Sequence, residues 1–230
     1  MSMVLRGISS MATRQVLAEL AAAWQARGEM PITIESVGGV DAAKRVAAGD
    51  EAFDVVFLAD QAIDKLIASD HAVAGSKVDL MLSSTVVAVP SEAAQPDISN
   101  EDALRAAVLA APSIGYSTGP SGVALQQLFE RWGIAQQIQP RIVQARPGVP
   151  VGSLVASGEV ALGFQQLSEL IHVAGIAIVG PLPEACAIDT VFSGAVVAGS
   201  HQVEAAQRLL AFMASAEAAE AKRRQGMAPA

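Results

Sequence analysis

One local pattern occurs twice in this chain and limits the folds open to it. An apolar strand is followed by a turn of small residues, a helix, a glycine and a second apolar strand. In the first half a helix end at 46–49 leads into an apolar strand at 53–58, and in the second half 155–158 leads into 160–165. Alternating strands and helices favour parallel strands joined by helical crossovers. The repetition predicts two α/β lobes of similar plan.

Glycine and serine mark the ends of the predicted helices. Ser10 is a predicted N-cap for a helix over 11–27, and Gly28 and Gly49 stand where a left-handed residue ends a helix. The Ala-rich stretch 203–224 predicts one long terminal helix. The predicted strands are 4–8, 32–36, 53–58, 80–89, 113–116, 142–145, 160–164, 176–179 and 190–197.

Composition excludes several classes of function. The formal net charge is −8, and dense positive charge is confined to residues 222–224, whereas a nucleic-acid groove needs clustered Lys and Arg. Cys186 is the single cysteine, so no cysteine metal cluster forms, and the three histidines are far apart in sequence. No apolar run reaches about 18 residues, the length of a membrane helix. With nucleotide and cofactor motifs also lacking, we expect no metal, cofactor, nucleic-acid partner or membrane-inserted segment.

Small polar turns follow the predicted strands at three places. These turns contain Ser9 and Ser10, then 36–39, then 117–122, and each opens a helix. A helix N-terminus offers unpaired N–H groups and about half a positive charge. The carboxyl ends of parallel strands are also where open α/β sheets bind ligands. Each turn alone is consistent with a capped helix, whereas three in corresponding positions predict a site for a small anion.

Two further features contribute candidate ligand-binding side chains. Arg14 lies one turn into the first helix, either exposed or reaching a ligand carboxylate. Gln165 and Gln166 end an apolar strand, where at least one amide is expected to face the ligand. The candidate ligand-binding residues are Ser9, Ser10, Arg14, Gly38, Gly39, Val40, Ser117, Thr118, Ser121, Gly122, Gln165 and Gln166.

The order of elements resembles the molybdate-binding proteins of ABC transporters, which have the type II periplasmic-binding-protein fold. The resemblance rests on short stretches at 7–11, 36–40, 53–57 and 155–166 and on the end of the terminal helix. It implies two lobes joined by crossing strands near Pro90 and Thr190, with a small anion bound between them. Lobe I is then 1–89 plus 191–230, and lobe II is the inserted segment 90–190.

The resemblance implies ligand roles for particular positions. The family's first ligand serine matches Ser10, whereas its second falls on Gly38 and its ligand tyrosine on Gln166. A backbone donor is implied at Pro150 or Val151, and proline has no N–H. The rich polar turn 117–122 suits a larger carboxylate than molybdate.

Three functions remain open on these grounds. The first is a solute-binding protein for an organic carboxylate or oxyanion, with an ABC transporter permease as its partner if the chain is exported. The second is a cytoplasmic isomerase of a di- or tricarboxylate, like the bacterial aconitate isomerases, which share this fold. A general base for that reaction would come from Glu35, Glu169 or His172. The third is a cytoplasmic sensor domain.

The predicted location depends on how the chain is processed. The N-terminus lacks a charged segment followed by an apolar one, so no signal peptide is predicted. As written, the chain is expected in the cytoplasm, and in the periplasm if it is a trimmed mature form.

Overall fold

The computed structural model describes residues 4–146 and 148–230. The chain divides into two compact units. Unit 1 contains the chain up to Ser83 together with Val191–Ala230, and unit 2 contains Ser84–Thr190. Both divisions fall inside a β-strand, and the first lies earlier in the chain than Pro90, where we expected it.

Strands and helices alternate along most of the chain. The strands are β1 (Leu5–Ser10), β2 (Ile32–Val37), β3 (Val55–Ala59), β4 (Val78–Pro90), β5 (Ile114–Tyr116), β6 (Ile142–Gln144), β7 (Leu162–Gln166), β8 (Ile176–Pro181), β9 (Asp189–Val196) and β10 (Ala228–Pro229). The helices are α1 (Arg14–Ala26), α2 (Gly39–Ala48), α3 (Asp60–Ala68), α4 (Glu101–Ala110), α5 (Pro120–Arg131), α6 (Ala135–Ile138), α7 (Val151–Ala156), α8 (Leu167–Leu170), α9 (Val203–Ala214) and α10 (Ala219–Arg224). Each predicted strand overlaps one of β1–β9, and β10 is an addition.

The sheet of unit 1 contains three adjacent parallel strands, with β2 at the edge. β1 lies between β2 and β3, β9 pairs antiparallel with β3, and β10 pairs antiparallel with β4. Alternate residues of β3 belong to different core clusters. Val55 and Phe57 cluster with residues of α1 and α9, whereas Val56 and Leu58 cluster with residues of α2 and α3. Helices therefore cover both faces of β3, which explains its continuous apolar run.

The sheet of unit 2 repeats this plan. β5 lies between β6 and β7 in parallel, and β4 pairs antiparallel with β7 on one side and β8 on the other. Phe164 of β7 clusters with residues of α4 and α5. Gly163 faces α7, where a Cβ atom would lie 2.4 Å from the Val155 side chain. Each unit thus contains three parallel strands, as the repeated pattern predicts, together with an antiparallel strand that the pattern did not predict.

The C-terminal helix differs from the prediction of one long helix. α9 ends at Ala214, and Ser215 is extended, with φ −69° and ψ 163°. The Ser215 hydroxyl donates to the carbonyl of Phe212 at 2.7 Å. A serine that bonds to the preceding turn competes with helix continuation. A 3-10 turn, Ala216–Ala218, then leads into α10.

Candidate functional site

The first group of candidate residues lies at the carboxyl ends of β1 and β2 in unit 1. Ser9 and Ser36 are directly paired across these strands, and their hydroxyl oxygens are 2.8 Å apart. Ser9 is completely buried. Its hydroxyl is therefore already occupied by a side chain of the same unit.

Ser10 has a different environment. Its side chain is buried, and its Oγ has no hydrogen-bond partner among the residues that the structure describes. The predicted capping bond from Ser10 is absent, and Thr13 Oγ1 instead donates to the Ser10 carbonyl at 3.1 Å. Ser10 also lies beside the start of α2, because a Cβ atom at Gly39 would be 3.5 Å from Ser10 Cβ. A buried hydroxyl without a partner is costly, so Ser10 is suited to a ligand.

The start of α2 is less favourable to an anion than its glycines indicate. Gly38 is the N-cap and provides no side-chain capping bond. Asp41 lies in the first turn of α2, and its carboxylate is close to Gly38. A Cβ atom added at Gly38 would be 3.3 Å from Asp41 Oδ2. This negative charge partly neutralises the positive end of the helix. Val40 and Arg14 are both exposed.

The second group lies in unit 2, where Ser117–Gly122 join β5 to α5. Gly119 is the N-cap of α5, and its N–H lies 3.4 Å from Ser117 Oγ. Ser121 is buried, whereas Thr118 is exposed. Gly122 is required by packing alone, since a Cβ atom there would lie 1.8 Å from the Ser117 carbonyl oxygen. The turn is therefore closed by a backbone contact that only glycine permits.

Gln165 holds two elements of unit 2 together. Its Oε1 accepts the Val151 N–H at 2.9 Å, and its Nε2 donates to Glu169 Oε2 at 2.8 Å. The backbone donor that the family resemblance implies at Pro150 or Val151 is thus occupied by Gln165. Both ends of the amide are used inside the unit, so Gln165 positions its neighbours.

Gln166 points to the other face of β7. Its Nε2 donates to Thr190 Oγ1 at 3.0 Å, while its Oε1 is buried without a partner among the described residues. Thr85 is paired with Gln166 across β4 and β7, and its Oγ1 is likewise buried and unpartnered within the described chain. Sequence reasoning did not select Thr85 or Thr190 as ligand-binding residues, because only strand pairing brings Thr85 to Gln166 and only a side-chain hydrogen bond links Thr190 to it.

The three candidate bases have different environments. Glu35 is exposed and forms a two-bond ion pair with Arg45, which holds the pKa of Glu35 below its usual range. His172 is exposed. Glu169 lies in α8, and burial raises its pKa to about 7, while the bond from Gln165 opposes this rise. Of the two glutamates, Glu169 is therefore the one that can exchange a proton near neutral pH.

Residues 4–146 and 148–230 lack two further features, a clustered metal site and a membrane-spanning helix. They contain no grouping of three or more His, Cys, Asp and Glu side chains suited to a metal ion. None of their helices combines the length and the apolar character that crossing a bilayer requires.

Comparison with known proteins gives a family and a specific relative. The sequence model of a family described as bacterial extracellular solute-binding protein matches residues 5–228. An aconitate isomerase from a Pseudomonas species is 43% identical over 183 residues, which cover 79% of this chain and 70% of that protein.

Solved structures are similar over almost the whole chain. The periplasmic molybdate-binding protein of Azotobacter vinelandii matches with a TM-score of 0.79 and 22% identity, covering 97% of this chain and 98% of that one. The sulfate-binding protein of Mycobacterium tuberculosis matches with a TM-score of 0.77 and 16% identity, covering 98% and 86%. At these identities the similarity concerns the fold.

Proposed function

Because this chain belongs to the bacterial extracellular solute-binding protein family and has the type II periplasmic-binding-protein fold, we propose that it binds a small tricarboxylate and isomerises it by moving a proton. The observation that carries the proposal is the carboxyl group of Glu169, which is partly buried and oriented by Gln165, and whose pKa is raised to about 7. The 43% identity to an aconitate isomerase supports the choice of substrate class.

The proposed reaction needs one base and one returned proton. Aconitate carries a CH₂ group between a carboxylate and a carbon–carbon double bond. Removal of a proton from this CH₂ gives an allylic carbanion, and return of the proton to the former vinylic carbon moves the double bond. Atoms and electrons balance within the substrate, and the base is regenerated.

Glu169 suits both halves of this exchange. A group whose pKa lies near the working pH is an effective proton acceptor and donor. Burial raises its pKa by disfavouring the charged form, and the Gln165 amide fixes the direction of one oxygen. Since the Gln165 amide is itself held by the Val151 N–H, rotation of the carboxyl group is restricted.

The ligand's negative charge is proposed to be balanced by neutral donors. Ser121 and Gln166 of unit 2 are buried polar side chains, one in the first turn of α5 and one at the carboxyl end of the parallel strand β7. Hydrogen bonds to charged groups contribute about 1.5–3 kcal/mol each. Several such bonds would hold a carboxylate without a lysine or arginine.

The test is incubation of the protein with trans-aconitate in D₂O, followed by proton NMR. We expect formation of cis-aconitate, with deuterium at the methylene carbon in those turnovers in which the proton held by Glu169 exchanges with D₂O before it is returned. Glu169→Gln should slow this by roughly 10²- to 10⁴-fold, the usual contribution of a general base. Glu159→Gln, at an exposed glutamate of the same unit, is the control. Full activity in Glu169→Gln, or no conversion by the wild-type protein, would contradict the proposal.

A second function, binding without turnover, is favoured by the unpartnered Ser10 hydroxyl and by the family description. In this case the protein would deliver a carboxylate or oxyanion to an ABC transporter permease. The same NMR experiment separates the two functions. Ligand signals that broaden or shift without a new species indicate a binding protein.

A further inference from the structure

We propose that Thr85, Gln166 and Thr190 form a subsite in unit 2 that binds one carboxylate group of the ligand. The inference rests on the proposed function only in taking the ligand to be a polycarboxylate. It assigns ligand binding to two threonines, one on β4 and one on β9, in addition to a glutamine on β7.

Strand pairing and one side-chain hydrogen bond place these three residues together. Thr85 and Gln166 are register partners in the antiparallel pair β4–β7, so their side chains lie on the same face of the sheet. Gln166 Nε2 donates to Thr190 Oγ1 at 3.0 Å, which joins the third residue to the group. The exposed fractions of Thr85, Gln166 and Thr190 are 2%, 2% and 7%.

The group is incomplete without a further hydrogen-bonding partner. Thr85 Oγ1 and Gln166 Oε1 are both buried and have no partner among the described residues. Buried polar atoms in folded proteins are almost always paired, because an unpaired one loses its bonds to water. Two unpaired atoms in one register pair therefore indicate a bound group that supplies the missing bonds.

The chemistry of the group fits a carboxylate. The two orientations of a glutamine amide occupy nearly the same space, and a threonine hydroxyl either donates or accepts. If Thr190 donates to Gln166 Oε1, then Nε2 of Gln166 is free to donate. Together with the Thr85 hydroxyl it provides two donors for the two oxygens of one carboxylate. Thr190 thereby fixes the amide in the orientation that an anion requires.

The experiment measures binding and stability on the same variants. The probe is tricarballylate, a saturated tricarboxylate that lacks the double bond and is not isomerised. Thr85→Val keeps the shape of the side chain and removes its hydroxyl, so we expect a roughly 10- to 100-fold weaker Kd by calorimetry. The melting temperature without ligand should stay the same or rise, because an unpaired buried group has been removed. A purely structural hydroxyl would lower it.

Three further variants make the result specific. Thr85→Ser restores the hydroxyl and should bind within about threefold of the wild type, a difference of only ~0.7 kcal/mol. Thr190→Val should weaken binding in the same direction, since it frees the Gln166 amide to turn. Ser76→Ala removes a buried hydroxyl that bonds to Val73 and Val196 in unit 1. It should lower the melting temperature without changing Kd.

The outcomes separate this inference from the proposed function. Equal Kd values for the wild type and Thr85→Val would overturn the subsite, with an ordered water then filling it, and would leave the isomerase intact. Loss of tricarballylate binding in Thr85→Val, but no turnover of aconitate by the wild type, would support the subsite in a binding protein. Absence of tricarballylate binding by the wild type would overturn the subsite, and turnover of aconitate would still decide the isomerase.

Discussion

Gln165 Nε2 donates a 2.8 Å hydrogen bond to Glu169 Oε2, and the two residues lie on either side of the junction between β7 and α8. The bond favours the charged carboxylate, whereas burial disfavours it, and burial is the larger effect. The pKa of Glu169 is therefore set by the balance between its burial in unit 2 and its bond to Gln165.

Glu169→Gln should stabilise the protein at alkaline pH more than at acidic pH. The pKa of Glu169 is about 7 in the folded protein and 4.5 without burial. Because the folded state holds this proton more tightly, wild-type stability falls as the pH rises from about 4.5 to about 7 and then levels off. The difference in melting temperature between variant and wild type should be larger at pH 8 than at pH 5. An equal difference at both pH values would contradict the raised pKa.

Ser10→Ala and Ser9→Ala should have opposite effects although the residues are adjacent. Ser10→Ala removes an unpartnered hydroxyl, so stability should be unchanged or higher while tricarballylate binding weakens by about tenfold or more. Ser9→Ala breaks the contact with Ser36 and should cost about 1 kcal/mol of stability. Denaturant unfolding and calorimetry on both variants provide the measurement. Similar losses of stability in both would contradict this assignment.

Ser121→Ala should weaken ligand binding roughly 10- to 100-fold with little change in stability. The N-cap of α5 is Gly119 and no side chain caps it, so removal of the Ser121 hydroxyl costs no capping bond. Gly119→Ala is a matched control in the same turn. Its added Cβ atom would lie 3.5 Å from Ser117 Oγ, which is an ordinary van der Waals contact. A drop in the melting temperature of Ser121→Ala with unchanged affinity would instead indicate a structural hydroxyl.

Molybdate should bind weakly or not at all. Gly38 lacks the hydroxyl that the molybdate-binding proteins are expected to have there, and the Asp41 carboxylate occupies the adjacent space. Gln166 stands where a ligand tyrosine is expected. Calorimetry with molybdate and tungstate measures this directly, with Asp41→Asn as a variant that should improve binding. Submicromolar affinity in the wild-type protein would show that backbone donors suffice.

The fold was predictable from local pattern, because the strand, turn and helix signals act within a few residues of each other. Gly28 and Gly49 have positive φ where the helices were predicted to end. The prediction of one long terminal helix was wrong, because the helix is interrupted at Ser215, whose hydroxyl donates to the carbonyl of Phe212. Propensity does not reveal this competition between the side chain and the helix.

Details of the candidate site depend on contacts between residues distant in sequence. Sequence reasoning gave Glu35 and Glu169 the same candidate role, and they are separated by the ion pair of Glu35 with Arg45 and by the burial that raises the pKa of Glu169. Sequence reasoning also selected both Gln165 and Gln166 as candidate ligand-binding residues. The alternation of β7 sends their amides to opposite faces, where one is fully bonded and the other has an unpartnered oxygen. Thr85 lies far from Gln166 in sequence, and no local signal selects it.

The contact between Gly122 and the Ser117 carbonyl has a consequence for how such a protein acquires new ligands. Any side chain at position 122 collides with main-chain atoms that cannot move aside singly. A single replacement of Gly122 therefore cannot be accommodated while the backbone of the turn keeps its conformation. In a random library selected for another anion, successful changes should instead accumulate at Ser117, Thr118 and Ser121, where side chains vary while the loop keeps its course.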